Sequence, residues 1–188
     1  MIVGNPASGK STLSKAWGHL TGLPVFHMDL YMWKPGWEMV GEAEFAEVHA
    51  GLLQKPRWII EGYSHHAPFV ERLGVAEQIV FVDAPLAVCL ERARQRRERE
   101  AASPDGFIPE DCRFETIWEQ HLAFIEQFDA EVKPSLVEML RGELAATPQV
   151  WLDGRDTVEA WCGRLEVARQ EATLQRARGS GCSRPRAG

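Results

Sequence analysis

The chain offers little for a disulfide framework, a structural zinc or a membrane. Its four cysteines, Cys89, Cys112, Cys162 and Cys182, lie far apart and form no C-x-x-C pair, so neither a zinc site nor a cross-linked scaffold is supported. No apolar run is long enough to cross a bilayer, and the start has neither a basic region nor a secretory cleavage site. A cytoplasmic location without a membrane partner is the expectation. No internal repeat is found. The net charge of −6 argues against broad nucleic-acid binding. What remains is 188 residues, 45% of them hydrophobic, enough for one domain with a real core.

The most informative stretch is Gly4-Asn5-Pro6-Ala7-Ser8-Gly9-Lys10-Ser11, followed by Thr12. It fits G-x-x-x-x-G-K-[ST], the P-loop or Walker A pattern. Met1, Ile2 and Val3 can end a buried strand, and residues 11–20 read as a helix with Leu13, Ala16, Trp17 and Leu20 on one side. The glycines let the backbone curl round a phosphate, and the positive end of the helix dipole faces the anion. Lys10 would reach the β- and γ-phosphates of ATP, and Ser11 would place its hydroxyl on Mg²⁺. Pro6 lacks an N–H, but it precedes the binding run from Ser8 to Thr12. A plain glycine turn opening a helix is the rival reading. A central strand is usually about five residues long, so either the first strand is short or the true start lies upstream of Met1; an upstream start is the expectation.

Further along, Val25-Phe26-His27 predicts a short strand that delivers Asp29 to its C-terminal end, the ligand side of a parallel sheet. Asp29 is a candidate general base or acceptor-orienting carboxylate, with a helix-cap or turn role as the alternative. His27 reads as a packed strand residue. The aromatic-rich residues 30–37 read as a loop that stacks an acceptor, touches a lid or folds onto the core. Residues 42–54 are helical in pattern. The strand Arg57-Trp58-Ile59-Ile60-Glu61-Gly62 ends in a carboxylate placed like that of a Walker B strand, which would hold Mg²⁺ through water; an exposed strand-end glutamate is the alternative. His65 and His66 are adjacent, point apart and read as loop residues. Arg72, on a short helix over residues 68–73, would meet an anionic acceptor or pair with Glu71 or Glu77.

The run Ile79-Val80-Phe81-Val82-Asp83 is the clearest strand, and Pro85 fits the start of the next helix. That helix turns basic at Arg92, Arg94, Arg96, Arg97 and Arg99. The following residues 101–106 are small and polar, the composition of a lid, here bounded at about 97–113. Arginines of this run are candidates to stabilise charge on a moving phosphoryl group. A solvated face paired with Glu91, Glu98 and Glu100 is the other reading. Residues 114–140 form a long helical stretch that Pro134 kinks or splits. Residues 150–152 are a last strand, followed by a turn and a helix to about residue 169. Residues 170–188 read as a disordered basic tail.

Together these stretches resemble the small P-loop kinases related to adenylate kinase, in particular the DNA topology modulation, or FlaR-like, proteins. The matching residues are Gly4 to Thr12, Leu23-Pro24-Val25 with His27-Met28-Asp29, Trp33-Lys34-Pro35-Gly36-Trp37, Trp58 to Gly62, Ile79 to Asp83 and the arginines from Arg92 to Arg97. The resemblance implies an α/β fold of three layers, α/β/α, around a five-stranded parallel sheet, within a kinase-like domain over residues 1–169. It also implies ATP and Mg²⁺ as bound groups and a small lid, with Arg92, Arg96 and Arg97 as the lid arginines. Glu61 stands where that family more often has aspartate, and the loop after Gly62 departs from the usual Asn-Tyr pattern. The expected activity is transfer of the γ-phosphoryl of Mg·ATP to a nucleoside monophosphate or another hydroxyl or phosphate acceptor. An ATP-binding regulatory protein with little turnover is the alternative, and nucleic-acid binding through the tail is a third, less favoured reading.

Overall fold

The computed structural model describes residues 1–100, 107–153, 160–164, 166–167 and 170. The proposed lid tip at 101–106, the turn at 154–159 and the tail beyond residue 170 lie outside these described residues.

Short runs of Ile, Val and Phe build the sheet, because β-branched and aromatic side chains suit a pleated surface buried on both sides. The strands are β1 (Ile2–Gly4), β2 (Val25–His27), β5 (Ile59–Glu61), β6 (Ile79–Val82) and β7 (Gln149–Leu152). They form one five-stranded sheet in the order β2-β5-β1-β6-β7, and every pairing is parallel. Despite its length, β1 is the central strand. Alternation along the strands gives two apolar faces. Val3, Ile79 and Phe81 pack with Phe69 and Leu73 of α4 (His66–Val75) and with Leu136 and Leu140 of α7 (Lys133–Arg141). Ile2, Val80 and Val82 pack with Leu13 and Trp17 of α1 (Lys10–Thr21) and with Trp161. Helices therefore cover both faces, and the fold is a three-layer α/β/α arrangement. In such sheets ligands bind beyond the strands' C-terminal ends, where the chain's direction of winding reverses. Here that point lies between β1 and β5.

Several local expectations need correction. The aromatic residues 30–37 are not a loop. They span α2 (Asp29–Met32) and an antiparallel hairpin of β3 (Trp33–Lys34) and β4 (Glu38–Met39), turned by Gly36 and Trp37, both at positive φ. The helix carrying Arg72 runs over His66–Val75, longer than expected, because Pro68 lies in its first turn, where a missing N–H costs nothing. Residues 114–140 do break near Pro134. A 3₁₀ turn (Phe114–Ile117) leads into α6 (Trp118–Gln127), and one π-helical turn (Phe128–Val132) precedes α7. That extra residue per turn accommodates the proline ring within a continuous spiral. The remaining helices are α3 (Glu42–Leu53) and α5 (Leu86–Glu100). No described helix is long and apolar enough to cross a membrane.

Gly4 shows how tightly the ligand end is built. Its φ is +149°, and a Cβ there would lie 2.3 Å from the Val82 carbonyl oxygen. Gly4→Ala should lower stability by about 2–4 kcal/mol, from backbone strain plus overpacking. Urea denaturation of the two proteins checks this, and an unchanged midpoint would contradict it.

Candidate active site at the start of the first helix

The loop after β1 is held in place by its own backbone and by two neighbouring helices. The Ser8 amide donates to the Asn5 carbonyl at 3.1 Å. The Asn5 side-chain amide donates to the Ile125 carbonyl of α6 at 3.1 Å. Arg92 of α5 donates to the Ser8 carbonyl at 2.7 Å, and the Lys10 ammonium donates to the Asn5 carbonyl at 2.8 Å. Positive φ at Gly4, Ala7 and Gly9 bends the chain around a concave space.

Helix α1 opens with no side-chain cap and no acidic residue in its first turn. Its first N–H groups therefore face that space with the positive end of the dipole behind them. Ser8 Oγ and Asn5 Oδ1 are buried without a hydrogen-bond partner. A cradle with unspent backbone donors, a buried hydroxyl and a buried lysine fits a polyphosphate. Within it, Pro6, Ala7 and Gly9 are half-buried and Thr12 faces outward. Burial pushes the Lys10 ammonium below its ordinary pKa, while the charges of Glu61 and Asp29 hold it up.

Two carboxylates stand beside this cradle. Glu61, at the end of β5, is buried, and its Oε1 accepts from Ser11 Oγ at 2.8 Å and from His27 Nδ1 at 2.7 Å. Burial alone would raise its pKa. The His27 hydrogen bond, the Lys10 charge and the Ser11 bond outweigh that and bring it below the ordinary value, so Glu61 is ionised at neutral pH. A serine hydroxyl beside a strand-end carboxylate is a hard-oxygen pair of the kind that holds Mg²⁺ with several waters. Among the described residues, no group of three His, Cys, Asp or Glu side chains could hold a metal by itself.

Asp29 is the first residue of α2 and makes no capping bond there. It keeps a face exposed to solvent, yet protein on the other sides limits its hydration. That crowding first, and the Glu61 charge second, push its pKa up to about 6, against the pull of Lys10 and Arg96.

The arginines of α5 divide. Arg92 braces the loop, and Arg96 lies over the Phe114 ring at 4.7 Å while its charge acts on Lys10 and Asp29. Arg97 turns away. It makes a two-pronged bond to Glu115 at 2.6 and 2.7 Å and lies over Trp118 at 4.7 Å. The pairing anticipated with glutamates of its own helix is therefore made to Glu115, beyond the proposed lid tip.

The chain from residue 107 onward packs against β2 and the turn of the hairpin. Phe107 meets the His27 ring edge-on at 4.8 Å. Trp37 packs on Phe114 at 5.2 Å, and its indole N–H donates to the Arg113 carbonyl at 3.0 Å. Of the aromatic stretch, Tyr31, Met32 and Trp33 pack onto the core, and Trp37 meets Arg113 and Phe114 of the returning chain.

Arg72 is buried at 0% exposure. It donates to Ser64 Oγ at 2.9 Å and to the Gly62 carbonyl at 3.2 Å, so it makes neither a hydrogen-bonded pair with Glu71 or Glu77 nor a surface for a ligand. Sequence reasoning missed His27 as the partner of Glu61, although the two are in register on neighbouring parallel strands. It also missed His121 of α6, which lies against Phe114 at 4.4 Å. Burial, then the charges of Arg96 and Lys10, push its pKa down to about 4, so it is a neutral imidazole near the site.

No protein-family model matches the chain. No curated protein matches it either. Among solved structures, the chain is similar to a kinase candidate from Chloroflexus aurantiacus. That similarity covers 90% of this chain and 96% of the other at 18% identity, with a TM-score of 0.46.

Proposed function

We propose that this chain is a small P-loop kinase that transfers the γ-phosphoryl group of Mg·ATP to a small acceptor, in keeping with its sequence resemblance to the adenylate-kinase-related, FlaR-like proteins. The observation that carries the reading is the bond from Ser11 to Glu61 beside the uncapped start of α1, with Lys10 and Asp29 on either side.

Residues 4–12 would hold the phosphates, Lys10 against the β- and γ-groups. Ser11 directly, and Glu61 through water, would hold Mg²⁺, which when bound neutralises charge on the phosphates. His27 and Ser11 both bond Glu61 Oε1, which leaves Oε2 free to orient a metal-bound water. Asp29 faces the acceptor, orienting it or taking its proton. Arg96 is placed to meet charge that spreads over the transferring group. The lid arm, seated on Trp37 and His27 through Phe114 and Phe107, excludes water that would otherwise accept the phosphoryl group.

Release of ADP from Mg·ATP tests the proposal, with and without a panel of nucleoside monophosphates and small hydroxylated compounds. Stimulation by an acceptor is expected. Binding of ATP with flat, slow release across the panel would favour a regulatory role instead. Glu61→Gln should raise the Mg²⁺ concentration needed for half-maximal turnover by about 10–100-fold, as for other groups that orient a metal's ligands. A Mg²⁺ titration of ADP release reads this, and an unchanged half-maximum would remove Glu61 from the metal site.

A further inference from the structure

We propose that the acceptor is an uncharged alcohol, a small hydroxyl compound carrying no phosphate, whose hydroxyl meets the Asp29 carboxylate. The inference rests on the kinase reading above and narrows its acceptor class.

Two acceptor chemistries make opposite demands on the protein. A phosphate ester is already largely ionised at neutral pH, with a second pKa of about 6. It needs no base to release its nucleophile, and it needs cations to hold it. An alcohol keeps its proton until the transition state and carries no charge to be held. A carboxylate in hydrogen-bond reach of that proton contributes about 10²–10⁴-fold.

The site matches the second set of demands. Asp29 projects from the C-terminal end of β2, exposed to the cleft and free of capping duty. Glu61, ionised, acts on it from the next strand. Among the described residues, the basic side chains acting on Asp29 include Lys10, Arg96 and His27. Lys10 and Arg96 are the groups assigned to the transferring phosphoryl, and His27 is bonded to Glu61. A second phosphate beside these carboxylates would add up to about two negative charges to a region that already holds two.

The basic residue best placed by sequence to answer that charge, Arg72, is turned inward. It lies at 0% exposure beneath the loop after β5, with the Phe69 ring 5.7 Å away, and it supports the Gly62 carbonyl and the Ser64 hydroxyl. In this position its guanidinium is covered from solvent and bonded to the loop.

In the transfer, the acceptor O–H proton passes to the Asp29 carboxylate as a new bond forms between the acceptor oxygen and the γ-phosphorus. The bond from that phosphorus to the β,γ-bridging oxygen breaks, and ADP departs with the electron pair.

The test uses the full chain and needs no knowledge of the alcohol. Diadenosine pentaphosphate carries enough phosphates to span an ATP site and a nucleoside-monophosphate site together. If both sites take nucleotides, linkage makes it bind at least about 10²-fold tighter than ATP. The proposal predicts affinity within a few-fold of that for ATP, by calorimetry with Mg²⁺. It also predicts that Asp29→Asn slows the basal hydrolysis of ATP, where water stands in for the alcohol, by about 10-fold or more, with ATP affinity retained. Much tighter binding of the linked dinucleotide overturns the inference. So does acceleration of ADP release by a nucleoside monophosphate, or unchanged hydrolysis in Asp29→Asn. In each of those cases the kinase reading stands. Failure of the native chain to bind Mg·ATP brings down the kinase reading and this inference with it.

Discussion

Lys10→Ala should reduce acceptor-stimulated turnover of ATP by about 10²–10³-fold or more, the range seen when one preorganised donor to transition-state charge is removed. The size of the effect follows from burial. Lys10 is only 9% exposed, so its charge acts through a poorly screened medium, where each interaction is worth several times its value in water. Burial also lowers its pKa, and the energy of keeping it charged is recovered from Glu61 and Asp29. Truncation leaves those two carboxylates with less compensating charge. The variant should therefore lose phosphate affinity as well as rate, because both the ground state and the transition state lose a cation. Separate measurement of ATP affinity and turnover reads the two losses. Retention of both within about twofold, a difference near 0.4 kcal/mol, would exclude Lys10 from the site.

The second large effect concerns pH. The Asp29 carboxylate titrates near 6, above the ordinary carboxylate range. It acts in its ionised form, so the sign is fixed. Below pH 6 the proton is already on Asp29, the base is absent and kcat/KM falls by about tenfold per pH unit, as for loss of a single base. Above 6 the profile flattens. Asp29→Asn should remove that limb and lower the plateau by about 10²–10⁴-fold. The amide is nearly the same size, and Asp29 is exposed and makes no capping bond, so thermal stability should change little. A variant that keeps the acid limb would assign it to another group.

The fold was legible where chemistry repeats at short range. The glycine pattern from Gly4 to Ser11, the apolar runs ending at Glu61 and Asp83, and the strand before Asp29 each placed a side chain at the ligand end of a parallel sheet. The structure brings Lys10, Ser11, Glu61, Asp29 and Arg96 together there. What sequence could not supply was direction over long separations. Arg72 and Arg96 are both arginines near acidic neighbours. Packing across helices turns Arg72 under the Gly62 carbonyl and Arg96 toward Lys10 and Asp29. Arg97 belongs with Glu115, a partner 18 residues away that only the reversal of chain between α5 and α6 creates. His27 looked like a packing residue because its alternation was apolar. Its register with Glu61 was the available signal, and reading it required the pairing of β2 with β5.

Calorimetric titration of Mg·ATP into the full chain tests the central claim most directly, that residues 4–12 with Ser11 and Glu61 hold a nucleotide triphosphate and its metal. The account predicts binding in the range of about 1 μM to 1 mM, where nucleotide substrates usually act. That binding should weaken when Mg²⁺ is chelated and be lost in Lys10→Ala. Absence of binding with and without Mg²⁺, or equal binding by the Lys10→Ala protein, would contradict it.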